Sequence, residues 1–361
     1  MSVMTECQNK TMFNLNTLVR PNIQALVPYS SARDEFKGEA DVFLDANENS
    51  LGSPLLKWYN RYPDPLAMKV KEKITTIKGV PAQHIFLGNG SDEAIDIIYR
   101  VFCEPGVDNV ITTPPTYGMY EVSAKINNVK LKKISLTPEF QLDLEALEEA
   151  IDPFTKVIWL CSPNNPTGNT LHREDVEMIL NNFDGIVVID EAYINFSRHR
   201  SFIPELADYP NLIILQTLSK AWGLAALRVG MAFASEEIIS LMNKVKPPYN
   251  ISEAAQELAA KALDNIEDVN DMIRIIVEER QRIAEILPQL NAVEAVYPSD
   301  GNFLLVKVNG ADELYDHLAK AGIVVRNRSK VPLCEECLRI TIGTPSENDK
   351  MLQIIREFKI S

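Results

Sequence analysis

Between residues 84 and 234 short, wholly apolar runs alternate with longer stretches in which apolar residues recur every three or four positions. Runs that are apolar throughout are strands covered on both faces, and the periodic stretches between them are helices with one face on the sheet. The pattern predicts strands at 84–87, 110–112, 156–161, 186–189, 212–216 and 229–234, and helices at 92–102, 142–151 and 173–181. Such alternation is the signature of an α/β domain with a mainly parallel central sheet flanked by helices. After Pro247-Pro248 the rhythm changes. Residues 252–287 contain no Pro or Gly and are rich in Ala, Glu and Arg, so they read as one or two helices. Beyond them, 303–308, 323–326 and 338–342 read as strands around a helix at 311–321, which makes a smaller α+β domain. The first fifty residues carry Pro21, Pro28 and Gly38 and little periodicity. The expected division is an arm over 1–45 that joins the small domain, a large domain over 46–250 and a small domain over 251–361.

Composition narrows the function without naming it. Apolar residues make up 46% of the 361 and charged residues 24%, which excludes a disordered, collagen-like or coiled-coil chain. Lys and Arg total 36 against 50 Asp and Glu, a net charge of −14 that repels nucleic acid and anionic membrane surfaces. An anionic small molecule can bind such a chain only at a local cluster of Arg and Lys. No apolar run approaches the roughly 20 residues that span a bilayer. Residues 1–10 lack the basic start and apolar stretch of a secretory signal, so a cytoplasmic protein is expected. The five cysteines, Cys7, Cys103, Cys161, Cys334 and Cys337, fit unpaired thiols in a reducing compartment. Cys334 and Cys337 have C-x-x-C spacing, but the four histidines lie far apart and no second pair exists. They read as ordinary cysteines near a strand, and no metal is expected.

Open parallel sheets bind ligands beyond the carboxyl ends of their strands, so the residues that follow each predicted strand carry the chemistry. After 84–87 comes Gly88-Asn89-Gly90-Ser91-Asp92-Glu93 and then a helix, a turn that is either structural or a phosphate cradle at a helix N-terminus. After 156–161 comes a dense turn from Ser162 to Gly168 with Asn164 and Asn165 in it. Asp190 ends a fully apolar strand, where a lone charge is costly unless a cationic partner meets it. After 212–216 comes Thr217-Leu218-Ser219-Lys220, with Arg228 eight residues on. Together these groups supply what pyridoxal phosphate requires: a lysine able to form a Schiff base, a carboxylate for the pyridine nitrogen, and Arg, Ser and a glycine turn for the phosphate. In that scheme Lys220 also shuttles a proton at the substrate Cα. Tyr193 and Asn164 hydrogen-bond the ring hydroxyl, and Tyr117 stacks on the ring or, on its own evidence, fills the core.

With these motifs the chain resembles the fold-type I aminotransferases, and within them the histidinol-phosphate branch. The resemblance runs from about Arg20 to Gly343. The branch is indicated by Leu44-Asp45-Ala46-Asn47-Glu48-Asn49 and Arg61-Tyr62-Pro63-Asp64, and Pro28-Tyr29 and Leu338-Arg339-Ile340 also match. It implies a fold-type I large domain, pyridoxal 5'-phosphate as cofactor and catalytic roles for Lys220, Asp190 and Tyr193. Gly90, Ser91, Asp92, Thr217, Ser219 and Arg228 are then expected at the cofactor phosphate. Tyr62 is expected to reach the active site of the neighbouring subunit of a homodimer. Tyr29, Tyr62, Asn164, Arg326 and Arg339 are expected to bind substrate, the phosphate of L-histidinol phosphate and the carboxylate of L-glutamate or 2-oxoglutarate by turns. For Arg326 a surface salt bridge is the competing expectation. Ala226 stands where the family often has glycine, two residues before the phosphate-binding arginine; a positive φ there would cost roughly 1 kcal/mol. An aromatic amino acid aminotransferase or a threonine-phosphate decarboxylase on the same fold remains open, as does, more remotely, a non-catalytic protein that binds the cofactor.

Overall fold

The computed structural model describes residues 13–29, 38 and 41–359. In chain order the regular elements are α1 Leu15–Leu18, α2 Pro21–Ala25, α3 Met68–Lys78, β1 Ile85–Asn89, α4 Gly90–Phe102, β2 Asn109–Thr112, α5 Met119–Ile126 and β3 Lys130–Lys133. There follow α6 Leu144–Ala150, β4 Thr155–Cys161, α7 Arg173–Asn182, β5 Ile186–Asp190, β6 Leu212–Thr217, β7 Val229–Phe233, α8 Glu236–Val245 and α9 Glu253–Leu263. The remainder is α10 Ile266–Ile286, β8 Val293–Val296, β9 Phe303–Val308, α11 Ala311–Lys320, β10 Arg326–Asn327, β11 Cys337–Thr341 and α12 Pro345–Glu357.

β1 to β7 form one seven-stranded sheet in the order β1-β7-β6-β5-β4-β2-β3, in which β7 runs antiparallel to both of its neighbours and the other pairs are parallel. Strict alternation splits its buried side chains between two cores. Ile158, Leu160, Val187, Ile189, Leu212 and Ile214 pack on one face. Val157, Trp159, Cys161, Ile186, Val188, Ile213 and Leu215 pack on the other, against Ile95, Ile98 and Tyr99 of α4. Asp190 continues the alternation of Ile186 and Val188 and therefore ends on the α4 side.

β8 to β11 form a second, antiparallel sheet in the order β10-β11-β9-β8. Leu304, Val306, Leu338 and Ile340 pack against α11 and α12 through Leu314, Leu318, Met351 and Leu352. Leu305 and Cys337, on the opposite face, join a core of the large domain, and Phe303 packs with Tyr193, Phe196 and Ala221. One face of the small sheet is thus turned towards the large domain.

The structure moves three expectations. The described part of the arm packs on the large domain: Leu18, Val19 and Ile23 join the α4 core, and the Arg20 N–H donates to the Val101 carbonyl at 3.0 Å. The expected domain boundary at residue 251 moves into α10, because Ala259, Ala260 and Leu263 of α9 belong to the large-domain core while Ile283 and Leu287 belong to the small one. The strand expected at 323–326 shrinks to Arg326–Asn327, with Val324 81% exposed and so without the cover that an apolar run implies. The polar β3, Lys-Leu-Lys-Lys, escapes an apolar-run criterion because it is an edge strand.

Candidate active site

The register of the large sheet gathers residues far apart in sequence. Gly88 and Thr217 both lie opposite Gly230, and Asp190 lies beside Cys161 and Leu215. At this carboxyl edge a cavity of about 660 Å³ opens between the two domains. Ser91, Asp92, Tyr117, Asp190, Tyr193, Thr217, Ser219, Lys220, Arg228, Arg326 and Arg339, all expected at the site, line it. So do Asn165 and Arg328. Five of the lining residues are cationic and two acidic, so the chain concentrates positive charge here against its overall negative balance.

At one end, α4 begins at the cavity with unspent N–H groups of its first turn. Gly90 has φ +71°, and a Cβ there would lie 2.5 Å from Arg228 Nη2. Gly230 is tighter still, since a Cβ would meet the Gly90 carbonyl carbon and the Ser91 nitrogen at 2.2 Å. The Gly90 N–H donates to the Arg228 carbonyl at 2.8 Å. Arg228 Nη2 donates to Asp92 Oδ2 at 3.3 Å and Nη1 to Ser219 Oγ at 3.4 Å, while Thr217 Oγ1 donates to Ser219 Oγ at 2.9 Å. A guanidinium, two hydroxyls and a helix N-terminus around a side-chain-free turn form a cradle for a phosphate. Arg228 itself takes the left-handed conformation, at φ 54°, whereas Ala226 lies in a 3-10 turn at Ala225–Leu227 and has no positive φ. The strain anticipated at Ala226 is therefore absent.

At the floor, Asp190 is buried, and its carboxylate accepts from the Tyr120 hydroxyl at 2.7 Å and from the Ala192 N–H at 3.1 Å. Burial pushes its carboxyl up to about 6, and the two hydrogen bonds oppose that shift only in part. A buried acid with this balance calls for a cation facing it. Tyr120 belongs to no motif of the sequence beyond standing three residues after Tyr117, and it stacks on Trp159 with ring centroids 5.0 Å apart. Tyr117 donates to Asp92 Oδ1 at 3.0 Å. Lys220 Nζ stands 5.5 Å from the centre of the Tyr193 ring. Burial, with the charge of Arg339, lowers its affinity for a proton. A lysine so biased is a better nucleophile and base than one in water.

The small domain supplies the facing wall. Arg339 lies over the Phe303 ring at 5.3 Å and donates to Asn165 Oδ1 at 2.5 Å. The expectation for Asn164 is corrected here. Its amide donates to the Pro115 carbonyl at 2.8 Å and to Thr167 Oγ1 at 2.7 Å, accepts from Thr116 Oγ1 at 2.9 Å, and does not line the cavity. Its neighbour Asn165 lines it instead, a choice that the Asn-Asn pair left open to sequence reading. Arg326 is exposed and forms no surface salt bridge among the described residues. Tyr29 is 73% exposed and lies outside the cavity. Tyr62 lies outside it too, stacked on Tyr249 at 4.5 Å beside a separate concavity that Asn47, Glu48 and Arg61 help to line. Cys334 and Cys337 are buried in a hydrophobic core, and Cys7 lies outside the described residues. Among the described residues no group of three or more His, Cys, Asp and Glu is placed to hold a metal ion, and no helix is long and apolar enough to cross a membrane.

The chain is similar to known proteins over most of its length. Residues 55–355 match the family model described as aminotransferase class I and II. Histidinol-phosphate aminotransferase of Parabacteroides distasonis is 56% identical over 349 residues, which cover 97% of this chain and 100% of that protein. The crystal structure of histidinol-phosphate aminotransferase from Clostridium acetobutylicum superimposes with a TM-score of 0.76 at 25% identity, covering 83% of this chain and 90% of that one. The Sinorhizobium meliloti histidinol-phosphate aminotransferase, solved in complex with pyridoxal 5'-phosphate, gives 0.75 at 26% identity over 82% of each chain. The chain belongs to the class I and II aminotransferases, in their histidinol-phosphate aminotransferase family.

Proposed function

We propose that this cavity exchanges an amino group between L-histidinol phosphate and 2-oxoglutarate, giving imidazole acetol phosphate and L-glutamate, in L-histidine biosynthesis. The observation that carries the reading is one cavity holding Lys220, the buried Asp190 and a phosphate cradle on one side, and arginines on the other. Pyridoxal 5'-phosphate, when bound, supplies an electron-withdrawing ring and a carbonyl carbon that takes up the amino group. The donors fit it. Gly90, Ser91, Asp92, Thr217, Ser219 and Arg228 would hold its phosphate, Asp190 its ring nitrogen in the protonated state, and Tyr193 with Asn165 its ring hydroxyl. Tyr117 would cover the ring.

Lys220, with its proton affinity lowered, is the group that takes a proton at the substrate Cα and returns it. Arg326 and Arg339 would hold the substrate anion. The exposed Tyr62 and the wall around it suit a homodimer in which Tyr62 completes the neighbouring cavity. Tyr29 would reach substrate only through movement of the arm. A cytoplasmic setting agrees with the unpaired cysteines.

A single-turnover experiment tests the reading. Cofactor-loaded protein is mixed with L-histidinol phosphate without an oxo acid, and the absorbance of the cofactor is followed. Complete conversion from the aldehyde to the amine form is expected. An unchanged spectrum would remove the substrate assignment, and conversion by phenylalanine alone or release of carbon dioxide from threonine phosphate would replace it.

A further inference from the structure

The ladder between β10 and β11 continues one residue past the end of β10. Arg326 lies opposite Arg339, Asn327 opposite Leu338, and the Arg328 N–H donates to the Cys337 carbonyl at 2.8 Å. Side chains alternate along a strand and directly opposed residues share a face, so Arg326, Arg328 and Arg339 project from one side of the small sheet. Asn327, on the other side, donates to Asp312 at 2.5 Å. All three arginines line the cavity, and among the described residues no Asp or Glu pairs with any of them. The Nε atoms of Arg328 and Arg339 are buried and, among the described residues, without a hydrogen-bond partner. Burial and mutual repulsion lower the proton affinity of both guanidinium groups. Three like charges gathered without a counter-charge are stable only where an anion completes them.

The number of arginines exceeds what a carboxylate needs. The two carboxylates of glutamate are held apart by three carbons, so the cluster meets one of them, a planar group with two oxygens and one charge, for which Arg339 and Arg326 suffice. A phosphate monoester has three terminal oxygens in a tetrahedral array and a charge of about −1.5 to −2 at pH 7. Resting on the reading above, in which one site takes a phosphorylated donor and a dicarboxylate by turns, we infer that Arg328 is a specificity residue that receives the third oxygen and the second charge of the phosphate. It strengthens the phosphorylated donor relative to glutamate.

The test uses cofactor-loaded wild type, Arg328→Gln and Arg328→Lys. For each, kcat/KM is measured with L-histidinol phosphate and with L-glutamate, together with inhibition by inorganic phosphate. Arg328→Gln is expected to lose about ten- to a hundredfold in kcat/KM for histidinol phosphate, as for a lost charge-assisted hydrogen bond, and no more than about threefold for glutamate. Its inhibition constant for inorganic phosphate should rise about tenfold. Arg328→Lys, which keeps the charge without the fork, should recover part of both, and it preserves the test if Gln impairs folding. Equal losses for both substrates, or unchanged phosphate inhibition, would overturn the assignment. Wild-type protein that turns over glutamate but not histidinol phosphate would instead overturn the functional reading on which the assignment rests.

Discussion

On the large-domain side of the cavity most polar side chains already have a partner within the chain, whereas the arginines of the small-domain side hold charge with little to meet it. Arg228, Asp92, Ser219, Thr217 and Tyr117 form one connected set of hydrogen bonds. Across the cavity, among the described residues, Arg339 has a single hydrogen bond, to Asn165, and two buried Nε groups have none. The difference matches the tenancy proposed for each wall. A resident cofactor rewards donors fixed in place before it arrives, since ordering them then costs nothing. A substrate that leaves every half-reaction, and alternates between phosphate and carboxylate, is better met by charge whose geometry an arriving anion completes.

Lys220 stands between the two walls, and its removal should give the largest effect. Its Nζ stands 5.5 Å from the centre of the Tyr193 ring, and the charges of Arg339 and Asp190 act on it in opposite senses. Lys220→Ala is expected to cut kcat by about 10³-fold or more, the combined loss of a nucleophile and a base. Thermal unfolding of the cofactor-free protein should hardly change. Turnover within tenfold of wild type would mean that neither wall serves a lysine-centred reaction.

Asp190 is the exception on the large-domain wall, a buried acid whose hydrogen bonds do not offset its burial. Its folded-state pKa, about 6, lies above the ordinary carboxylate range. Between about pH 4 and pH 6 the unfolded chain therefore releases this proton while the folded chain keeps it. The folded state binds more protons there, so the contribution of Asp190 to stability falls as pH rises, by on the order of 3 kcal/mol once both states are ionised. Cofactor-free Asp190→Asn should match wild type near pH 4 and exceed it increasingly towards pH 7 in chemical denaturation. A gap that does not change with pH would show that the carboxylate already has a partner in the cofactor-free protein.

The same contrast explains what could be read from the sequence. The cofactor wall is built from contiguous stretches at strand ends, Gly88 to Glu93, Asp190 to Tyr193 and Thr217 to Lys220, so apolar runs and their punctuation locate it. The small-domain wall depends on cross-strand register, which pairs Arg326 with Arg339 and carries Arg328 onto the same face. Arg-Asn-Arg has the period of a strand, but only the ladder shows which face is turned to the cavity. Tyr120 was hidden for another reason: its hydroxyl reaches Asp190 from 70 positions away through packing on Trp159. Asn164 and Asn165 are chemically identical neighbours, and the fold of their turn alone decides which one faces the cavity.

A graded perturbation of the cofactor wall sharpens the comparison, and Gly90 provides one. A Cβ at Gly90 meets the end of the Arg228 side chain, which can swing aside, while a Cβ at Gly230 meets backbone, which cannot. Gly90→Ala should therefore fold at a cost of roughly 1–2 kcal/mol for its left-handed φ, with Arg228 displaced from Asp92 and Ser219. One charge-assisted hydrogen bond lost to the phosphate predicts a dissociation constant for pyridoxal phosphate raised about tenfold or somewhat more, read by titrating the cofactor-free protein. In the cofactor-saturated variant the KM for glutamate should stay near wild type, because the arginines proposed to hold substrate stand on a different sheet in a different domain. If KM rises as much as the cofactor dissociation constant, the walls are coupled, and the preformed hydrogen bonds around Arg228 also set the position of the substrate.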